Sequence, residues 1–126
     1  MKKQHFEHYA CTFFLWLAAT SAASAQHTGR ALPEERAGKQ TERMKQELTL
    51  TDEQYKQVAD INLKYAQKNE AVANADEGRM KKMSTIRTNR DQKNAEMKKV
   101  LTETQYNKYL KIQEEMAAKM RQQRMR

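Results

Sequence analysis

The chain has 126 residues, 38% of them hydrophobic and 32% charged, and 24 Lys and Arg against 16 Asp and Glu give a formal net charge of +8. One Cys and three Gly provide neither a disulfide framework nor a Cys-based zinc cluster, and no Gly-rich phosphate loop is present. The basic excess leaves three classes of partner to weigh: nucleic acid, anionic membrane and acidic polypeptide.

The first 25 residues read as an export signal. Lys2 and Lys3 precede an apolar run from Tyr9 to Ala19, and Ala23-Ser24-Ala25 fits the small-residue rule for cleavage before Gln26. The run is about half of the ~20 residues a membrane span needs, so a cleaved leader is expected over an anchor. Cys11 lies near the start of the run, and His8-Tyr9-Ala10 before it form no lipobox; it leaves with the leader, as do Trp16 and Phe6, Phe13 and Phe14. Export argues against nucleic acid. With Phe and Trp gone and the remaining Tyr mostly at helical core spacing, little is left to stack on bases.

Residues 26–32 are expected to be a flexible leader, and 33–126 a helical domain. Pro33 suits a first helical turn, and Glu34 and Glu35 follow where carboxylates complement the helix dipole. This first helix is predicted to reach about Glu47, weakened by Gly38.

Next comes a phrase written twice, Leu50-Thr51-Asp52-Glu53-Gln54-Tyr55 and Leu101-Thr102-Glu103-Thr104-Gln105-Tyr106. Thr with Gln three residues on is a capping box, and Leu before the cap with Tyr at the fourth helical position adds a hydrophobic staple. Each copy therefore opens a helix. The helix from Asp52 carries Tyr55, Val58, Ala59, Ile61, Tyr65, Ala66 and Val72 at the spacing of one buried stripe. Asn74, Asp76 and Gly78 predict a hairpin bend between about Ala73 and Gly78, with Gly and Asn suited to a left-handed helix end.

A third helix is predicted from about Arg79 to Lys99. Its apolar residues Met80, Met83, Ile86, Met97 and Val100 are sparse, and Arg87, Arg90, Lys93 and Asn94 occupy positions that should face a partner. The fourth helix begins at Thr102, carries Tyr106, Tyr109, Leu110, Ile112, Met116, Ala117 and Met120, and runs into the basic tail 119–126. The expected fold is an all-α, four-helix bent hairpin. Its thin stripes favour a homodimer as the economical way to cover half-exposed apolar residues.

The intact pair Leu50-Thr51-x-x-Gln54 and Leu101-Thr102-x-x-Gln105 resembles the Spy/CpxP family of small periplasmic helical proteins, marked by paired LTxxQ motifs. The resemblance implies a cradle-shaped antiparallel dimer of bent hairpins. It also implies an ATP-independent chaperone of unfolded or partly folded proteins, or a CpxP-like accessory regulator docking on the periplasmic domain of an envelope-stress sensor kinase. Leu50, Thr51, Gln54, Leu101, Thr102 and Gln105 are expected to set architecture.

Client-binding candidates come from the third helix, where Arg79, Lys81, Lys82, Arg87 and Arg90 alternate with Met80, Met83, Ile86 and Met97. Long cations recruit acidic segments, and Met repacks around varied apolar groups. The bland reading of the same residues is a solvated helix face. Catalysis is not expected: the acidic pairs Glu34/Glu35, Asp52/Glu53, Asp76/Glu77 and Glu114/Glu115 are chain neighbours that do not face each other on a helix, and His27 has no nucleophile partner. No cofactor is expected. Some relatives respond to zinc or nickel, and Met116/Met120 or Met80/Met83 could pair thioethers for Cu(I), but Met at this spacing more commonly packs, and no metal ligand is assigned. A membrane-surface role for the basic tail is a further, weaker alternative.

Overall fold

A computed structural model describes residues 30–126. The predicted signal peptide, its cleavage point before Gln26, and Cys11 and His27 lie outside the described residues. Among those described, the chain is all-α, with α1 (Pro33–Leu48), α2 (Asp52–Asn74), α3 (Arg79–Val100) and α4 (Glu103–Arg124) and no strand. None of these helices is long and apolar enough to cross a membrane.

Helix α2 packs against α1 and α3, and α4 rests on α1 and α3. The core gathers at the motif end, from Met44, Leu48, Leu50, Val58, Ile61, Tyr65, Met97, Leu101, Tyr109 and Ile112. Both motif leucines are buried there, each contributing about 2 kcal/mol of hydrophobic stabilisation. Tyr106 packs against this core, whereas Tyr55 lies half-buried beneath the Lys45 ammonium, 4.6 Å from its ring centre. The two copies of the motif thus share their Leu role but not their Tyr role. Farther from the motifs the seams become polar. Asn62 donates to the Thr41 hydroxyl at 2.9 Å, Thr41 donates to the Ala37 carbonyl at 2.8 Å, and Asn89 donates to Asn69 at 3.0 Å.

Helix α1 ends at Leu48, one residue past the predicted Glu47, in a left-handed turn. Thr49 adopts φ 52 and ψ 57, and the Leu50 N–H reaches back to the Lys45 carbonyl at 3.3 Å, the six-to-one bond of a Schellman ending. A β-branched residue in this region is strained, and among non-glycine residues described it is the one with positive φ. The bend between α2 and α3 falls where predicted but uses no left-handed residue: Ala75 and Gly78 are both extended. A Cβ at Gly78 would meet open space, so glycine is not required there. In place of a glycine cap, the Lys82 ammonium crosses the bend and donates to the Ala73 carbonyl at 2.9 Å.

On α3 the inward face is rotated relative to expectation. Asn89, Lys93 and Met97 are buried, Asn94 is half-buried, and Arg87 and Arg90 are exposed. On α4 the predicted stripe is also interrupted, since Leu110 and Met120 are exposed. The first half of α4 is packed down through Tyr109 and Ile112, and Met116 packs half-buried against the same core; from Glu114 onward no residue is fully buried.

Candidate functional site

The two motifs meet at one end of the fold, where α1 and α3 end and α2 and α4 begin. Each Thr side chain accepts from its own Gln N–H, at 3.2 Å for Thr51 and 3.3 Å for Thr102. Each Gln Oε1 accepts from its own Thr N–H, at 3.1 Å and 3.0 Å, which completes two capping boxes. The Gln amide groups then cross over. Gln54 Nε2 donates to the carbonyl of Val100, the last residue of α3, and Gln105 Nε2 donates to that of Leu48, the last residue of α1, both at 3.1 Å. The two amides also bond each other reciprocally, at 2.8 Å and 3.2 Å. Every hydrogen-bonding position of both amides is used, and the opposite amide orientation would set donors against donors. The motif residues therefore form a clasp that ties the starts of α2 and α4 to the ends of α3 and α1, an architectural role.

The chemistry-bearing surface lies elsewhere, between the far part of α3 and the free end of α4. There Glu77, Arg79, Lys82, Met83, Ile86, Arg87 and Arg124 line an open groove of about 660 Å3. Met83 and Ile86 supply exposed apolar surface in it, and Met80 nearby is 82% exposed. Among the described residues, Arg79, Arg87 and Arg124 have no carboxylate within 4.0 Å. Three guanidinium groups with unused donor capacity thus surround an apolar floor. The other predicted cations are more committed. Lys81 pairs with Glu77 at 2.9 Å, Arg90 with Asp91 at 3.0 Å, and Lys82 caps α2.

Met97 corrects the predicted surface. It is fully buried in the motif-end core, because it lies one turn from the end of α3, where the clasp folds Leu101 and Tyr109 over it. It is a core residue and cannot meet a partner. The contribution of α4 is the converse case: Arg124 completes the groove, although helical periodicity assigned the end of α4 only a basic tail. The looser packing of α4 beyond Ile112, where no residue is fully buried, is a tertiary feature.

Charges beyond the groove tie helices together. Lys64 of α2 bonds both oxygens of Glu96 of α3, at 2.7 Å and 2.6 Å, and Tyr65 donates to the same carboxylate at 2.7 Å. Donation from Lys64 and then Tyr65 holds Glu96 below the usual carboxylate range, while burial and the bond to Glu96 push the Tyr65 phenol up to about 12. Lys93 is 9% exposed, donates to Gln40 of α1 at 3.2 Å, and is pulled down by burial from the usual 10.5 to about 8. Among the described residues no group of three His, Cys, Asp or Glu side chains converges as a metal site would require.

No curated protein and no solved structure matches this chain. Residues 19–109 match the family described as a domain of unknown function, DUF4890, a span that takes in both LTxxQ motifs, α1 to α3 and the packed first turns of α4. Because that match covers well over half of its length, the chain belongs to the DUF4890 family.

Proposed function

We propose that this protein is an ATP-independent periplasmic chaperone that holds unfolded or partly folded proteins in the groove between α3 and α4. The observation that carries the reading is the meeting of three guanidinium groups without carboxylate partners and a floor of Met83 and Ile86 on one open surface. Arginine charge draws in acidic segments from a distance and weakens with salt. Flexible Met side chains then accommodate apolar groups of differing shape without selecting one. Weak, exchanging contacts of this kind need no nucleotide for release. The repeated LTxxQ motif, with its resemblance to Spy/CpxP proteins, and the signal-like leader support the compartment and the class. The half-exposed stripes support a homodimer, in which two grooves would form a cradle.

Light scattering of a denatured acidic client, diluted into buffer with the chain and without nucleotide, tests this. Suppression at near-stoichiometric ratios is expected, weakening with salt and lost on combining Arg87→Glu with Met83→Ser. No suppression at any salt would sink the chaperone reading and direct the search to a single folded partner such as a sensor domain.

A further inference from the structure

Beneath the free end of α4 lies a second cleft, of about 280 Å3, between that helix and the α2–α3 seam. Ile86 of α3 and Met116, Ala117 and Met120 of α4 supply apolar walls, while Tyr65, Asn69, Asn89, Arg90, Lys93 and Gln113 bring polar groups among them. Most of those polar groups are already paired. Asn89 bonds Asn69 at 3.0 Å, Tyr65 bonds Glu96, Gln113 donates to the Tyr109 hydroxyl, and Arg90 pairs with Asp91 at 3.0 Å. Lys93 is the exception. Its ammonium has three donors and one neutral acceptor, Gln40, and among the described residues no carboxylate lies within 4.0 Å. A cation more than nine-tenths removed from water without a counter-charge is costly, and an anion would relieve that cost.

The walls decide what carries the anion. Every lining residue lies within a helix, whose backbone N–H and C=O groups are already spent on one another. An entering peptide would bring amides that find no partners, at a cost for each, whereas an alkyl chain brings none. A mostly apolar concavity with a few directing polar groups is the usual form of a small-molecule site, and here, among the described residues, Lys93 is the lining cation without a carboxylate partner. We propose that this cleft binds an unbranched aliphatic carboxylate, its chain lying among Ile86, Met116, Ala117 and Met120 and its head group meeting the Lys93 ammonium. This site adjoins the groove of the chaperone reading and shares Ile86 with it, but it does not rest on that reading, and its test does not involve client aggregation.

The test is calorimetric titration of the full chain with sodium decanoate below its micellar concentration, alongside 1-decanol and a short peptide with an aliphatic residue at its free C-terminus. Saturable binding of decanoate is expected, at least tenfold tighter than decanol. Lys93→Met should weaken decanoate at least tenfold and leave decanol unchanged, with thermal denaturation confirming the fold. Ala117→Phe, which fills the cleft but keeps the charge, should abolish binding of both. Absence of saturable decanoate binding, or decanoate affinity unchanged in Lys93→Met, overturns the proposal. A peptide that binds tighter than decanoate overturns it as well, and gives the cleft to a chain terminus.

Discussion

Gln54 and Gln105, 51 residues apart in the chain, hold each other's side-chain amides while each caps its own helix and the end of a helix belonging to the other motif. A capping box accepts either Gln or Glu at its third position, because only the acceptor oxygen is used. The crossed bonds need the NH2 group. Gln54→Glu therefore keeps the capping box but sets a carboxylate against the Val100 carbonyl and Gln105 Oε1. A loss of roughly 2 kcal/mol is expected, read by urea denaturation, with a similar loss for Gln105→Glu. Unchanged stability in both would show that the motif glutamines act only locally. A cycle through Gln54→Ala, Gln105→Ala and the double variant should show coupling of about 1 kcal/mol.

The Thr half of each motif acts on its own helix alone. Thr51→Ala and Thr102→Ala should each cost about 1 kcal/mol. Since no bond joins the two Thr side chains, the losses should add in the double variant, in contrast to the glutamines. Thermal denaturation of the three variants checks both the size and the additivity.

Thr49 holds a left-handed conformation that a β-branched side chain resists, and its side chain is exposed. Thr49→Gly removes that strain and loses no buried contact, although glycine frees the unfolded chain. A net gain of roughly 1 kcal/mol is expected. If the variant is less stable than the parent in urea, the strain argument fails.

Lys93 makes stability depend on pH in an uncommon direction. Its folded value of about 8 lies below the unfolded 10.5, so between those values the unfolded chain binds more protons. Below pH 8 the folded state carries a buried charge at a cost on the order of 3 kcal/mol, and that cost disappears as pH rises from 8 to 10.5. Lys93→Met should therefore be more stable than the parent at pH 7, with the difference shrinking across that window. Parallel urea titrations from pH 6.5 to 10.5 measure it; a difference that stays constant would mean that Lys93 is not buried as a charge.

Local signals were legible because they are complete within a few residues. The capping boxes at Thr51 and Thr102, Pro33 in a first turn, and turn residues between Asn74 and Gly78 place the helix ends to within about a residue or two. The bend shows where that reading stops. Its position is written in composition, but whether glycine or a lysine from the next helix satisfies the last carbonyls of α2 depends on where α3 returns, and Lys82 takes the role.

The candidate site divides in the same way. Arg79, Met83, Ile86 and Arg87 were identifiable as cations and flexible apolar residues on one helix, and they line one groove. Met97 has the same chemistry and the opposite fate, because burial is a property of the neighbours and not of the residue. Sequence by itself determined the helices, their caps and the basic, Met-bearing character of α3, all of which follow from side-chain chemistry at short range. Tertiary structure alone decided that Gln54 meets Gln105, that Lys93 is enclosed without a counter-ion, and that α4 supplies Arg124 to the groove. Each of these depends on how helices distant in the chain cross, and the energy that sets those crossings comes from a shared core to which no single segment holds the whole pattern.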